Sequence, residues 1–177
     1  MNYLEQRKTL RAAPIGAARR LQLSQITDNY LIELFSNAVK REDFGKVALV
    51  GVGANGRQDL TLGSDLDLVL VWLDARTIAG SEDLVNKISS SVLQDWRAFA
   101  DKRLKQLYEQ VKERKEKQGE LSQLIEPDLK ESYGGLRDIT ILRAVAATWK
   151  FDIPKKILDE NSQLLQDVRD ALHTLSL

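Results

Sequence analysis

The chain has 177 residues, of which 26 are Lys or Arg, 26 are Asp or Glu, one is His and none is Cys. This balanced charge argues against non-specific electrostatic binding to nucleic acid or to an anionic membrane, because both kinds of binding need an excess of Lys and Arg. Without Cys there is no thiolate zinc site and no cysteine nucleophile, and the single His173 cannot supply a multi-histidine metal centre. We therefore expect a cytoplasmic protein of one domain, or of one domain with a small appendage, with no nucleic-acid or membrane partner.

The first half of the chain is predicted to contain a basic lead-in, one helix and two strands. Residues 1–24 form the lead-in, whose start we expect to be a loosely held helix and loop. Apolar residues at three- and four-residue spacing predict an amphipathic helix over residues 28–39, with Thr27 as a possible cap. The apolar run of residues 46–53 predicts a buried strand, and residues 65–72 predict a second strand after a polar, turn-rich segment.

The second half is predicted to be helical. One or two long helices are expected over about residues 82–117, and further helices over residues 136–149 and 162–175. A loop is expected around Pro127 and the Gly134-Gly135 pair, because these residues break helices.

These elements predict an α+β protein. A small mixed sheet of two or three strands, within residues 46–72, would need helices over its faces to be stable. We expect a core over residues 25–80, followed by a helical C-terminal region over residues 81–177.

Two groups of chemically useful residues lie at the predicted strands. Side chains alternate along a strand, so Asp65 and Asp67 share one face and can bind one hard cation such as Mg²⁺ together with phosphate oxygens. Upstream, Gly53 and Gly56 let backbone N–H groups approach a phosphate, and Arg57 can add charge-assisted hydrogen bonds. Either group alone is explained by an ordinary turn or strand end. Neighbouring carboxylates repel each other unless a cation compensates them, so the combination favours a metal–nucleotide site.

The same residues resemble a known family. Gly53-Ala54 followed by Asp65-Leu66-Asp67 is similar to the hG[GS]…Dh[DE]h signature of the DNA polymerase β-like nucleotidyltransferases. VGANGRQDL at 52–60, with SDLDL from Ser64, resembles more narrowly the VGGYGRxEL and SDxDL motifs of bacterial protein-PII uridylyltransferases. IEPDLKESYGGLRD at 125–138 resembles that family's EPDxKEGPGGLRD block, and LDARTIAG at 73–80 resembles its LxxARxLAG helix. The chain is therefore identified as a shortened relative over about residues 25–177.

The resemblance implies nucleotidyl transfer. It places the triphosphate on Gly53 and the Ala54 backbone, and it makes Asp65 and Asp67 the catalytic carboxylates that bind Mg²⁺ or Mn²⁺. The other residues that it implies for the nucleotide side of the pocket are Arg57, Ser64, Lys130, Gly134, Gly135 and Arg137. The implied reaction is attack by a Tyr hydroxyl of a PII signalling protein on the α-phosphorus of UTP, or of ATP, with pyrophosphate leaving.

One departure from the family bears on activity. The family has further strands, one of which carries a third metal-binding carboxylate, between the SDxDL strand and the LxxARxLAG helix, whereas here the two motifs are contiguous. Asp74 is the nearest substitute, and Ala54 and Asn55 stand where the family has Gly or Ser and an aromatic residue. We expect nucleotide binding with weak or absent transfer. The alternative is a non-catalytic remnant or regulatory module that binds nucleotide or a partner protein, while a toxin-type or antibiotic-modifying nucleotidyltransferase is disfavoured by the EPDLKE…GGLRD block.

Overall fold

The computed structural model describes residues 2–64 and 75–175 of the chain. The predicted strand at residues 65–72 lies outside these residues, and so do Asp65, Asp67 and Asp74. Contacts divide the chain into two compact units, one made of Met1–Val92 with Arg169–Leu177 and the other of Leu93–Val168. The predicted division at residues 24 and 80 stays a prediction.

Two helices open the first unit, and the second is longer than expected. Helix α1 spans Tyr3–Thr9 and helix α2 spans Ala17–Ala38, beginning after Gly16 at a φ of 135°. The predicted start near residue 28 is wrong, because Thr27 does not cap a helix. Its hydroxyl donates to the Leu23 carbonyl one turn earlier, at 2.8 Å, and the side chain lies buried within α2.

The basic lead-in is packed into the first unit. Leu10 belongs to a buried cluster with Leu23, Leu60 and Leu62. The side chains of Arg19 and Arg20 are buried as well. The prediction of a loosely held start is therefore wrong for this part of the chain. The error arose because composition alone does not show that the fold provides buried acceptors for arginine side chains.

The described part of the chain contains a sheet of two antiparallel strands. Strand β1 spans Ala48–Gly51 and strand β2 spans Arg76–Gly80. The resemblance to a family helix at residues 73–80 predicted the wrong local structure, because residues 76–80 pair with β1 and thereby satisfy their backbone hydrogen bonds. A four-residue helix, α3, spans Gly53–Gly56 directly after β1.

The remaining helices confirm the expected helical C-terminal region. Helix α4 spans Glu82–Ala98 and helix α5 spans Ala100–Gln118. Helix α6 spans Leu136–Ala146, and helix α7 spans Lys155–Leu175, beginning directly after Pro154. The α+β fold class is confirmed.

The second unit has its own buried centre around Trp96. The indole Nε1 of Trp96 donates to the Ala144 carbonyl of α6 at 2.9 Å, so the buried indole N–H is satisfied. The guanidinium of Arg97 donates to the Ala147 carbonyl and lies 3.6 Å from the centroid of the exposed Trp149 ring.

Candidate functional site

The first predicted site segment is a tight turn at the end of β1. Gly53 has a φ of 57°, in the left-handed region where a side chain is strained, so glycine is the residue that fits here. Gly51 is also constrained, because a Cβ would lie 3.0 Å from the Ile78 side chain and 3.1 Å from the amide nitrogen of Asn55. The predicted glycine turn is therefore a short helix whose entry depends on glycine.

An arginine from β2 holds this turn. One guanidinium nitrogen of Arg76 donates to the Asn55 carbonyl at 3.2 Å and to the Asp28 carboxylate at 2.9 Å. Arg76 therefore links α2, β2 and α3, and the register that pairs it with Gly51 brings it there.

The side chain of Asn55 is buried, and it makes no hydrogen bond to the residues that the structure describes. It is 1% exposed, and both its amide nitrogen and its amide oxygen lack a partner among the described residues. A buried unsatisfied amide lowers stability, because it has given up its hydrogen bonds to water without replacement.

Asp59 lies close to two arginines after the turn. The Arg57 guanidinium lies 3.8 Å from the Asp59 carboxylate, and the buried Arg20 guanidinium lies 3.9 Å from it. Arg57 directly follows the glycine helix, and its guanidinium already lies near a carboxylate. A phosphate that binds Arg57 would compete with the Asp59 carboxylate for it.

Ser64 closes a second turn, directly before the predicted metal ligands. Its backbone N–H donates to the Thr61 carbonyl at 3.0 Å, and its hydroxyl accepts from the Thr61 backbone N–H at 3.0 Å. The Thr61 hydroxyl lies 2.9 Å from the Ser64 hydroxyl and 2.6 Å from Nδ1 of His173. Asp65 and Asp67 follow this turn and lie outside the described residues.

The environment of His173 favours the neutral ring. Burial lowers the pKa of His173 below its ordinary value of 6.5, and the positive charge of Arg169 lowers the pKa further, against a smaller opposing effect of Asp170. A neutral imidazole has one donor and one acceptor nitrogen, so Nδ1 can share a hydrogen bond with the Thr61 hydroxyl.

The EPDLKE…GGLRD block forms a loop in the second unit that ends at the start of α6. Asp128 accepts backbone N–H groups from Lys130 at 2.8 Å and from Glu131 at 3.0 Å, which fixes the first part of the loop. Gly135 is required for steric reasons, because a Cβ there would lie 2.6 Å from the Leu129 carbonyl oxygen. Gly134 has a φ of 91°, which also favours glycine.

Several charged side chains of this loop and of the first turn of α6 form ion pairs. Arg137 donates to Glu131 at 2.5 Å, and this hydrogen bond, aided by the Arg137 charge, holds the pKa of the Glu131 carboxyl below its ordinary value despite partial burial. Asp138 pairs with Arg114 of α5 and accepts the Gly134 backbone N–H at 2.5 Å. Lys130 is exposed.

The structure thus groups the predicted nucleotide-binding residues by unit. Gly53, Ala54, Arg57 and Ser64 lie in the first unit, and Lys130, Gly134, Gly135 and Arg137 lie in the second. Sequence reasoning missed the supporting residues Asp28, Arg76, Arg114, Asp138 and His173. Of these, Asp138 and Arg76 had a signal, since they lie in the recognised GGLRD and LDARTIAG motifs.

The described residues offer neither a cluster of metal-binding side chains nor a membrane-spanning helix. Residues 2–64 and 75–175 contain no group of three His, Cys, Asp or Glu side chains placed to hold a metal ion. None of the helices in that part of the chain combines the length and the apolar character needed to cross a membrane.

Comparison with protein families supports the resemblance carried by the motifs. Residues 102–173 match the family described as GlnD PII-uridylyltransferase, and this stretch contains all of α6, most of α5 and of α7, and the EPDLKE…GGLRD loop. The resemblance to the PII-uridylyltransferase family is confirmed by this match. No solved structure matches the chain significantly.

Several curated relatives carry the name bifunctional uridylyltransferase/uridylyl-removing enzyme. The one from Streptomyces coelicolor is 39% identical over 89% of this chain and 25% of its own length. Those from Corynebacterium glutamicum and Mycobacterium tuberculosis are 33% and 36% identical, over 63% and 64% of this chain and 16% and 15% of their own lengths. The chain therefore spans a quarter or less of the length of these relatives.

The Streptomyces alignment also bears on the shortening. It runs over 208 residues but takes in 89% of the 177 residues, about 158 of them. About 50 alignment positions therefore have no residue of this chain opposite them.

Proposed function

We propose that this chain is a cytoplasmic, nucleotidyltransferase-like relative of the PII uridylyltransferases that binds UTP, or ATP, with Mg²⁺ or Mn²⁺ and transfers the nucleotide weakly or not at all. The acceptor of any residual transfer would be a Tyr of a PII signalling protein. One observation carries the proposal: the glycine turn and the turn ending at Ser64 occur within one compact unit, in a chain whose relatives are uridylyltransferases.

The residues of the first unit suit a triphosphate. The first backbone N–H groups of a helix have no partner inside that helix, so those at Gly53 and Ala54 are available in principle to phosphate oxygens. Arg57 lies directly after this helix and would add positive charge.

The expected metal ligands also suit the ion. Asp65 and Asp67 offer only carboxylate oxygens, and oxygen ligands completed by phosphates are what Mg²⁺ prefers. When bound, the ion would neutralise charge on the phosphoryl oxygens and orient the leaving pyrophosphate. The protein would contribute position and charge and would need no covalent step of its own.

The expected weakness of transfer follows from the shortening. About 50 positions of the Streptomyces alignment have no residue of this chain opposite them. A loss of that size would be enough to include the strands that carry the third carboxylate in the family. The pairing of β1 with residues 76–80 supports the same interpretation, because a segment that resembles a family helix here forms a strand beside β1. Two-metal transfer requires clamping of both the attacking and the leaving oxygens, so loss of one clamp would depress chemistry more than nucleotide affinity.

The same shortening favours a second candidate, a non-catalytic module that binds nucleotide or a partner protein. The two candidates differ in turnover and can share nucleotide binding. Asp74 is the nearest residue that could supply the third carboxylate, and an active protein would make it the first residue to replace with Asn.

The experiment is a transfer assay with α-labelled UTP and, in parallel, α-labelled ATP. Purified protein is incubated with Mg²⁺ and a PII protein, and a full-length bifunctional uridylyltransferase serves as the positive control. We expect labelling far below an ordinary enzyme rate of about 1 per second. Labelling at about that rate would contradict the expected impairment, and a complete lack of both labelling and nucleotide binding would contradict the proposed function.

A further inference from the structure

In the second unit, the junction of α4 and α5 lies beside the loop that follows α6, and both segments carry exposed aromatic rings. The Arg97 guanidinium donates to the Ala147 carbonyl at 3.0 Å, and the Lys150 ammonium pairs with the Asp101 carboxylate. Three aromatic side chains on these segments are largely exposed, namely Phe99 by 57%, Trp149 by 77% and Phe151 by 56%. We call these three rings, with Arg97 and Lys150, the aromatic patch.

Trp149 is held in place although it adds little to folding. Its φ of 62° lies in the left-handed region, where a large side chain is strained, and its ring lies mostly outside the core. The Arg97 guanidinium lies over one face of the ring, 3.6 Å from the centroid, in a cation–π contact. Strained backbone is concentrated at binding and active sites. A ring that is exposed and already immobilised loses little entropy on binding, and Trp and Arg are the residues that most often dominate protein interfaces.

The segments that carry the patch are basic, whereas the chain as a whole is balanced. Residues 95–105 and 147–156 contain seven Lys or Arg and three Asp, against 26 of each kind in the whole chain. One of the three acids is already compensated, because a hydrogen bond from Lys150 and the nearby charge of Lys105 hold the pKa of the Asp101 carboxyl below its ordinary value. Cations around exposed aromatic rings are complementary to carboxylates that flank an apolar side chain.

We propose that the aromatic patch is a docking surface for an acidic segment of a protein partner. Trp149 contacts an apolar side chain of that segment, and Arg97 and Lys150 attract its carboxylates. Single-stranded nucleic acid also stacks on aromatic rings among cations, but the zero formal net charge of the chain gives no general attraction to phosphates. The proposal concerns the second unit and does not depend on nucleotide binding in the first.

The probe is a library of short random peptides displayed on phage and selected on the purified full chain. Selected peptides are synthesised, and their affinities for wild-type protein, Trp149→Asn and Lys150→Glu are measured by fluorescence anisotropy. The control Tyr108→Asn removes a ring that is 67% exposed further along α5, and Lys112→Glu reverses an exposed charge on the same helix. Urea unfolding checks that each variant folds. We expect the wild-type midpoint for Trp149→Asn, because Asn adopts the left-handed region readily.

We expect the selected peptides to be rich in Asp and Glu beside apolar residues. Trp149→Asn and Lys150→Glu should each weaken binding about tenfold or more, while both controls stay within about threefold of wild type, as for contact residues inside and outside an interface. Failure to select any binding peptide, a selected set without an acidic excess, or undiminished binding by either patch variant would overturn the proposal. If Trp149→Asn fails to fold, Lys150→Glu decides.

Two further measurements distinguish other occupants of the patch. Light scattering that shows a wild-type dimer lost in Trp149→Asn would assign the patch to a second copy of the chain. Tight binding of a labelled single-stranded oligouridylate, lost in the same variant, would assign it to nucleic acid. Either result would overturn the acidic protein segment as the occupant.

Discussion

The buried ion pair between Arg19 and Asp170 is the contact in the first unit whose loss we expect to cost most. The side chains are 2% and 1% exposed, and Nη2 of Arg19 lies 2.7 Å from a carboxylate oxygen of Asp170. Arg19 also donates to the Ala13 carbonyl at 3.2 Å and to the Thr174 hydroxyl at 2.7 Å. The guanidinium thus has several acceptors, but in this contact set only the carboxylate carries a compensating charge.

Replacing Asp170 with Ala leaves the Arg19 charge buried with neutral acceptors. Removing one partner of a buried pair typically costs about 3–5 kcal/mol of unfolding free energy. Because whole domains are stable by about 5–15 kcal/mol, this is a large share of the total. We expect Asp170→Ala to lower the unfolding free energy by that amount.

The assay is urea unfolding followed by circular dichroism. Asp152→Ala is the matched control, because Asp152 is exposed, and we expect it to stay within about 0.5 kcal/mol of wild type. The double variant Arg19→Met with Asp170→Leu removes both charges and should recover most of the loss, since apolar replacements of buried pairs are often neutral or stabilising. A cost below about 1 kcal/mol for Asp170→Ala, or a double variant as unstable as the single one, would refute the reasoning.

Three further predictions concern single residues. Gly135→Ala should lower the unfolding free energy by about 1–3 kcal/mol in urea unfolding, because its Cβ would press on the Leu129 carbonyl oxygen, whereas Gly45→Ala, with open space around it, should cost little in the same assay. Asn55→Leu should raise the unfolding free energy by about 1–3 kcal/mol in urea unfolding, because it removes two buried atoms without partners among the described residues, and a loss would contradict this. Because the folded-state pKa of His173 lies below 6.5, the unfolded chain binds the proton more readily than the folded chain does. The unfolding free energy should therefore fall as the pH drops from about 6.5 through the folded-state pKa. His173→Asn should flatten this pH profile in urea unfolding, and an unchanged profile would contradict the assignment.

The sequence predicted the helical elements better than their ends or partners. The long helices over residues 82–117 follow from their apolar spacing, which is a local property. The start of α2 was missed because Thr27 reads equally well as a cap and as a mid-helix residue that donates to the carbonyl four residues earlier. Residues 76–80 were assigned to a helix by resemblance. Their pairing with β1 joins segments about 30 residues apart, so a short stretch of sequence does not reveal it.

The same limit applies to the candidate site. Gly53 and Arg57 were predicted from the glycine turn together with the carboxylates that follow it in sequence, and the structure places both at the short helix after β1. His173 was not, because its partner Thr61 is 112 residues away along the chain and only the fold brings them together. Asp65 and Asp67 stay predictions.

The most direct test of nucleotide binding at the proposed site is isothermal titration of the wild-type protein and of Asp67→Asn with UTP in Mg²⁺. We expect saturable, Mg²⁺-dependent binding by wild type that is abolished in Asp67→Asn, while the circular dichroism spectrum and unfolding midpoint of the variant stay those of wild type. Unchanged binding by Asp67→Asn, or no binding by the wild-type protein, would contradict the proposed site.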